Sequence, residues 1–428
     1  GIYYTPSWIC NVLFSRITKP IRDETFCDPC CGSGNFLLAA YHAGIKPENI
    51  YGFDTDPIAV EIAKARFKDE TGMIPENIVC CDYLLDSMNR QAKKYDIIIT
   101  NPPWGKKLSK AEKQKHGVAF SAGRSLDTCS LFFFAALSDL SEGGYIGLLL
   151  PESFFSIKHF QDARHALLQQ HILAIFDFGK PFKGLLTKAR AFVAKKEHEI
   201  PANEVVCCID GHEATRLQSS FSNNPSEIIN ISASHEDDLV LKRIFSHPHQ
   251  TLVGNARWGL GIITGHNKKY CTDTHDVGSM PVFKGAEIFP DHLANPSTYI
   301  PRDTSIYQQV APKELYEADE KIIYRFISSN LVFHFDDKQS YILNSANLFV
   351  VNADFPVSAK IVAKLFNLPI YNWIFKKVFD THKVLRSDIE CLPIYLEFLA
   401  STSNPTEEAL LQFLKIEKNA DGTYGRVF

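Results

Sequence analysis

Four short apolar runs, separated by stretches long enough for a helix, each stop at an acid or an amide: Asp28, Asp54, Asp82 and Asn101. The runs around Thr25-Phe26-Cys27, Tyr51-Gly52-Phe53, Ile78-Val79-Cys80-Cys81 and Tyr95-Asp96-Ile97-Ile98-Ile99-Thr100 read as buried parallel strands. Helices must carry the chain back between them, so the pattern predicts an open α/β sheet with a polar residue at the carboxyl end of each strand. Open sheets bind their ligands at that edge. A helix cap or a solvated turn accounts for one such residue, whereas four in register point to a site.

The first turn, Pro29-Cys30-Cys31-Gly32-Ser33-Gly34, leads into a predicted helix from Asn35 to Tyr41. Strand, glycine loop and helix form the opening of a nucleotide-binding sheet, in which glycines let the backbone approach a ligand. The three spaced glycines of a dinucleotide site and the lysine of a phosphate loop are both missing, and Asp28 at the head of the turn repels a phosphate. An acid there suits a cationic or hydroxyl-rich ligand. Asp54 stands where a carboxylate holds ribose hydroxyls, and at Asp82 a carboxylate can accept from an adenine amino group while Tyr83 packs on the base.

The fourth turn is Asn101-Pro102-Pro103-Trp104. Two consecutive prolines fix φ and remove two amide donors, which leaves the carbonyls of Asn101 and Pro102 to accept from outside the chain. The Asn101 side-chain oxygen and the Pro102 carbonyl can take the two protons of an exocyclic amine while Trp104 stacks on its ring.

Together, Asp28-Pro29-Cys30-Cys31-Gly32-Ser33-Gly34-Asn35-Phe36, Gly52-Phe53-Asp54, Asp82-Tyr83 and Asn101-Pro102-Pro103-Trp104 resemble the ordered motifs of the S-adenosylmethionine-dependent amino-methyltransferases. Tyr4-Thr5-Pro6 precedes them and a long segment follows, an order that resembles the gamma class of adenine-specific DNA methyltransferases of restriction–modification systems. The resemblance implies an α/β fold: a Rossmann-like methyltransferase sheet with a C-terminal mixed α+β target-recognition domain. It implies S-adenosylmethionine as cofactor, S-adenosylhomocysteine as product and double-stranded DNA as partner. The cofactor would meet Thr5, Asp28, Pro29, Cys30, Gly32, Gly34, Asp54, Thr55, Asp82, Tyr83, Asn101, Pro102 and Phe132. Asn101, Pro102, Pro103 and Trp104 would form the catalytic corner, and Phe182 would stack on the extruded base opposite Trp104. Thr5 could instead cap the helix that follows it.

Along the rest of the chain, residues 105–125 are polar and lysine-rich and read as a mobile loop beside the site, with Lys106 and Lys107 as candidate DNA contacts. A helix is predicted over 127–140, a turn at Gly143-Gly144, then strands over 145–150, 172–178 and 189–194. The catalytic domain is expected over 1–220, a linker over 221–235 and the recognition domain over 236–428. Basic and aromatic residues mingle in that last part, where His266, Asn267, Lys268 and Arg386 are candidate DNA contacts, although a solvated helix face reads alike.

Composition narrows the class. A net charge of −4 over 428 residues excludes a uniformly basic binder, so phosphate contacts must come from local clusters. No apolar run approaches the roughly eighteen residues of a membrane span, and no signal-peptide pattern opens the chain, so a cytoplasmic protein is expected. Among 11 cysteines, Cys27 and Cys30 have zinc-like spacing but no matching second pair, and no metal is expected. The chain starts at Gly1 and runs straight into a motif, which suggests a removed upstream domain; a cognate endonuclease is the other expected partner. The alternatives are a methyltransferase acting on an RNA base or a protein glutamine, and a DNA-specificity subunit without catalysis. The long C-terminal part argues against the first and the four intact strand ends against the second.

Overall fold

The computed structural model describes residues 4–89, 93–105, 108–198, 202–402 and 404–426. They divide into two compact units, Gly1–His235 and Glu236–Phe428.

The first unit opens with α1 (Ser7–Phe14), β1 (Phe26–Asp28), α2 (Asn35–His42), β2 (Ile50–Asp54), α3 (Pro57–Thr71), β3 (Ile78–Cys80), α4 (Tyr83–Asn89) and β4 (Tyr95–Thr100). It continues with α5 (Lys110–Ala119), α6 (Thr128–Asp139), β5 (Leu140–Pro151), α7 (Ser153–Ser156), α8 (Gln161–Leu168), β6 (Gln170–Asp177), β7 (Ala189–His198), β8 (Glu204–Ile209), β9 (His212–Leu217) and α9 (Gln218–Ser222). The strands form one nine-stranded sheet in the order β3-β2-β1-β4-β5-β7-β6-β8-β9. Its half from β3 to β5 is parallel, and β7 runs antiparallel between β5 and β6. Strand order reverses at β1, which pairs with β2 on one side and β4 on the other, so a crevice opens beyond their carboxyl ends.

Helices cover both faces of this sheet. Along β4, Ile97 and Ile99 join the apolar cluster of α1, α2 and α3, while Ile98 joins that of α6 and α8. This alternation explains why β4 reads as a continuous apolar run: both of its faces are buried.

The structure corrects two expectations here. Residues 105–125 are not a loop throughout, because α5 occupies Lys110–Ala119. A reciprocal capping box starts it: the Glu112 N–H donates to Ser109 Oγ at 3.2 Å and the Ser109 N–H to Glu112 Oε2 at 2.7 Å. Gly143 and Gly144 make no turn before the strand; β5 begins at Leu140 and passes through them, with a register irregularity against β4. A further strand, β9, pairs antiparallel with β8 at the sheet edge. Residues 221–235, expected as a linker, include Ile228, Ile229 and Ile231, all buried, and the Ile229 N–H donates to the Phe155 carbonyl at 2.9 Å. Arg164, wholly buried, donates to the carbonyls of Phe154, Ile157, Ser226 and Glu227 at 2.8–3.0 Å and ties this strap to the first unit.

The second unit contains β10 (Ala256–Leu260), β11 (Ser279–Phe283), β12 (Tyr299–Pro301), β13 (Lys321–Arg325), β14 (Phe333–Asp336), β15 (Tyr341–Ile342) and β16 (Ala346–Val351). A four-stranded antiparallel sheet has the order β10-β16-β13-β14, and a smaller sheet the order β12-β11-β15. Helices Ala359–Phe366 and Pro369–Val378 follow, each with one apolar face buried. Among the described residues no helix is long and apolar enough to cross a membrane.

Candidate active site

The carboxyl ends of β1, β2, β3 and β4 converge on a cavity of about 530 Å³. Asp28 and Asp54 are the last residues of β1 and β2, Asp82 lies just past β3, and Asn101 follows β4 directly. Pro29, Cys30, Gly32, Asp54, Thr55, Asp82, Tyr83, Asn101, Pro102, Pro103, Trp104, Phe132 and Phe182 all line this cavity.

Its floor is the glycine turn, held by the carboxylates at its sides. The Cys30 N–H donates to Asp28 Oδ1 at 3.0 Å and the Gly32 N–H to Asp54 Oδ2 at 2.9 Å. Asp54 Oδ1 also accepts from the Asp56 N–H at 2.9 Å, so Asp54 braces two turns while it faces the cavity. Gly32 has φ of 49° and lies under the Tyr4 ring, 3.5 Å from where a Cβ would sit. Gly34, with φ of 87°, is the N-cap of α2; a Cβ there would stand 3.2 Å from that of Ala63. Its absence of side chain lets α2 pack on α3, and Gly34 lines no part of the cavity.

Asp28 also stays out of the main cavity. It is 1% exposed and, with Thr5 and Asn101, lines an adjoining cleft of about 40 Å³. Burial pushes its carboxyl up to about 7, against the opposing hydrogen bond from the Cys30 N–H. Tyr83 is held more tightly. Its ring is 1% exposed, stacks on Phe132 with centroids 6.2 Å apart, and its hydroxyl donates to Asp139 at 2.8 Å. The ring is thus held from the side of the core while its remaining edge lines the cavity. Asp82 caps α4, its Oδ1 accepting from the Leu84 N–H at 3.0 Å.

At the acceptor corner, the Asn101 amide nitrogen donates to Thr5 Oγ1 at 3.1 Å. The other end of that amide, Oδ1, is buried and has no hydrogen-bond partner among the described residues. Pro102 and Pro103 carry no N–H. Thr5 does not cap α1, whose N-cap is Pro6 without a side-chain bond. The Trp104 indole N–H donates to the Leu149 carbonyl at 3.2 Å, and the rings of Trp104 and Phe182 touch edge to face. The two aromatics share the cavity wall but do not stand as parallel plates, as a stacked base between them requires.

Sequence reasoning passed over Tyr4, Asp56, Ala59, Cys81, Leu84, Leu108, Thr128 and Leu185 as lining residues. Only Tyr4, within the Tyr-Thr-Pro motif, carried a signal. Of the candidate DNA contacts, Lys106 and Lys107 lie outside the described residues. In the second unit, His266, Asn267 and Lys268 surround a shallow depression with Gln308 and Asn344, two residues far along the chain that no local pattern marked. Arg386 is already engaged: its Nε lies 2.7 Å from Glu390 Oε1 and its guanidinium 5.5 Å from the Trp258 ring centroid.

Sheet order and cavity define the first unit as a Rossmann-like methyltransferase domain. The N-6 DNA methylase family model matches residues 1–232, and that of the TaqI-like C-terminal specificity domain matches residues 280–394. The chain therefore belongs to the N-6 DNA methylase family, whose members transfer the methyl group of S-adenosylmethionine to an adenine amino group in DNA. It is 44% identical over 288 residues to the Type II methyltransferase M.VspI of Vibrio sp. (strain 343), covering 67% of this chain and 70% of that one. With the EcoEI methylase subunit of a Type I restriction enzyme of Escherichia coli it shares 22% identity over 165 residues, 36% of this chain and 33% of that one. Among solved structures, the Type IIL restriction-modification enzyme MmeI in complex with DNA is similar at a TM-score of 0.58 and 14% identity, over 95% of this chain and 71% of that one. The DrdV–DNA complex is similar at 0.61 and 12%, over 99% and 61%. At such identities these structural likenesses speak to the fold.

The cavity suits S-adenosylmethionine. Carboxylates of Asp54 and Asp82 and the ring of Phe132 line it, and among the described residues no lysine or arginine does, as a phosphate ligand would require.

Proposed function

We propose that this chain methylates the exocyclic nitrogen of an adenine extruded from duplex DNA within a defined sequence, as the modification activity of a restriction–modification system. The observation that carries the reading is Asn101 Oδ1, a buried acceptor with no described donor, at the rim of a cofactor-sized cavity. An unpartnered buried acceptor costs about 1–3 kcal/mol, a penalty that an incoming amine proton removes.

The cofactor supplies a methyl group on a sulfonium. Asp54 would hold the ribose hydroxyls, Asp82 would accept from the cofactor's adenine amino group, and Phe132 would pack on its ring. The target base must leave the stack, at an expense of a few kcal/mol, because its amino group is out of reach inside the duplex. Asn101 Oδ1 and the Pro102 carbonyl then accept its two amino protons. These bonds would favour a pyramidal nitrogen and would strengthen as positive charge develops there. Neither oxygen is a base near neutral pH, so the surplus proton departs to water. Orientation supplies much of the remaining acceleration.

Residues 236–428 supply the sequence preference, with His266, Asn267, Lys268 and Arg386 as contacts to DNA, and a separate endonuclease or an additional domain supplies cleavage. A DNA substrate inside the cell places the protein in the cytoplasm. Transfer of labelled methyl to mixed DNA, followed by mapping of the modified base, tests the reading. Label confined to adenine N6 within one sequence supports it; label on RNA or on a protein glutamine, or none at all with cofactor bound, rejects it.

A further inference from the structure

We infer that Thr5 is a positioning residue for methyl transfer: its hydroxyl fixes the orientation of the Asn101 amide, so that Oδ1 and not the NH2 group faces the target amine. The inference rests on the proposed role of Asn101. Thr5 and Asn101 lie 96 residues apart in the chain, yet their side chains meet at 3.1 Å. An amide is planar and two-ended. With its nitrogen committed to Thr5 Oγ1, its oxygen must point the other way, and that oxygen is the buried atom without a partner. Released from Thr5, the amide can turn over about its terminal torsion, a broad and nearly two-fold one. It would then set two donors against the two donors of the adenine amino group.

Thr5 is itself held from behind. Arg66 Nη1 on α3 donates to Asn35 Oδ1 at 2.8 Å and to the Ser33 carbonyl at 2.5 Å. Asn35 Nδ2, at the start of α2, donates to the Thr5 carbonyl at 2.7 Å. A relay thus runs from α3 through α2 and Thr5 to Asn101, and Ser33 within it belongs to the glycine turn. Thr5 is 6% exposed and lines the small cleft, not the main cavity, so its hydroxyl faces Asn101 and not the cofactor-sized space.

The test uses the full chain carrying Thr5→Val, which removes the hydroxyl at nearly constant shape, and Thr5→Ser, which keeps it. Cofactor and product affinities come from calorimetry, and the methyl-transfer step from single-turnover kinetics on duplex DNA. Thr5→Val should slow transfer on the order of 10- to 100-fold, the range for one misplaced buried hydrogen bond, with cofactor affinity within about twofold of wild type. Thr5→Ser should recover most of the rate. Should Thr5→Val not yield folded protein, Thr5→Ala removes the same hydroxyl without bulk and carries the same expectations. A parallel loss of cofactor affinity and rate would make Thr5 a cofactor ligand and overturn the inference, as would an unchanged rate. Asn101→Ala separates the two layers: if it transfers at the wild-type rate, the role of Asn101 itself falls, whereas an inactive Asn101→Ala beside an unaffected Thr5→Val removes only the role of Thr5.

Discussion

Phe182 meets Trp104 edge-on, ring centroids 5.6 Å apart and planes at 84°. Trp104 is the fixed member, pinned by its bond to the Leu149 carbonyl, while Phe182 sits between β6 and β7 in a segment with positive φ at Gly179 and Gly184. A base stacked on both rings requires them to stand closer to parallel. Stacking on an aromatic ring is worth about 1–3 kcal/mol per base. Phe182→Ala should therefore slow duplex methylation roughly 5- to 150-fold and leave cofactor affinity unchanged. Phe182→Trp should keep most activity. An alanine variant as fast as wild type in single-turnover assays would remove Phe182 from the base pocket.

Asp54 carries two loads, the Gly32 N–H and the Asp56 N–H, besides its place on the cavity wall. Asp54→Ala is expected to weaken S-adenosylmethionine binding by about 1.5–3 kcal/mol, the range for hydrogen bonds to a charged group, and also to lower the melting temperature of the cofactor-free chain. Calorimetry and thermal melts separate the effects. A lower melting point with undiminished affinity would leave Asp54 as a brace for the glycine turn alone.

Burial raises Asp28 from the ordinary carboxylate value of 3.8 to about 7. Between those two pH values the native chain holds a proton at Asp28 that the unfolded chain has released. The contribution of this group to stability therefore falls as pH rises through that window and levels off above about 7. Asp28→Asn copies the protonated form and should flatten the slope, so that its melting temperature relative to wild type rises from about pH 4 to about pH 8. Asp388, also raised to about 7 by burial, contributes equally to both proteins and cancels in the comparison. Parallel melting profiles across that range would mean that Asp28 is ionised in the folded chain.

In the second unit Lys321 and Asp336 face each other across β13 and β14, Nζ to Oδ2 at 2.5 Å, at 0% and 1% exposure. Lys321 also donates to the Tyr316 carbonyl, and Asp336 accepts from the Ser340 N–H and hydroxyl. Removing one partner strands a buried charge, so Asp336→Ala should destabilise this unit by about 3–5 kcal/mol. Replacing both, Lys321→Met with Asp336→Leu, should recover most of the loss. Denaturant titrations read both changes. A single variant within about 1 kcal/mol of wild type would show that Lys321 finds water or gives up its proton.

Much of the site's backbone was legible before any coordinates. The apolar runs that end in Asp28, Asp54, Asp82 and Asn101 became β1 to β4 with those residues at or just past the strand ends, because strand period and the chemistry of turns act over a few neighbouring residues. The Ser109 and Glu112 pair that starts α5 is a local signature, overlooked in favour of the lysines around it. Other elements left little local trace. β9 is mostly exposed and gives no apolar alternation, and the isoleucines of the 221–235 strap look no different in sequence from those of a tether.

What the tertiary structure alone decided is which atoms face the cavity. Tyr83 and Phe132 stack on each other, and the bond from the Tyr83 hydroxyl to Asp139 fixes which edge of the tyrosine is left at the cavity. Asp28 stands at a strand end like Asp54, but only Asp54 reaches the main cavity. The Asn101 amide nitrogen donates to a hydroxyl 96 residues earlier in the chain. Local sequence sets backbone path because dihedral preferences and periodic burial are short-ranged. The partner of a buried side chain is set by packing among segments that meet only in the folded chain, where an unmet donor or acceptor has no water to turn to.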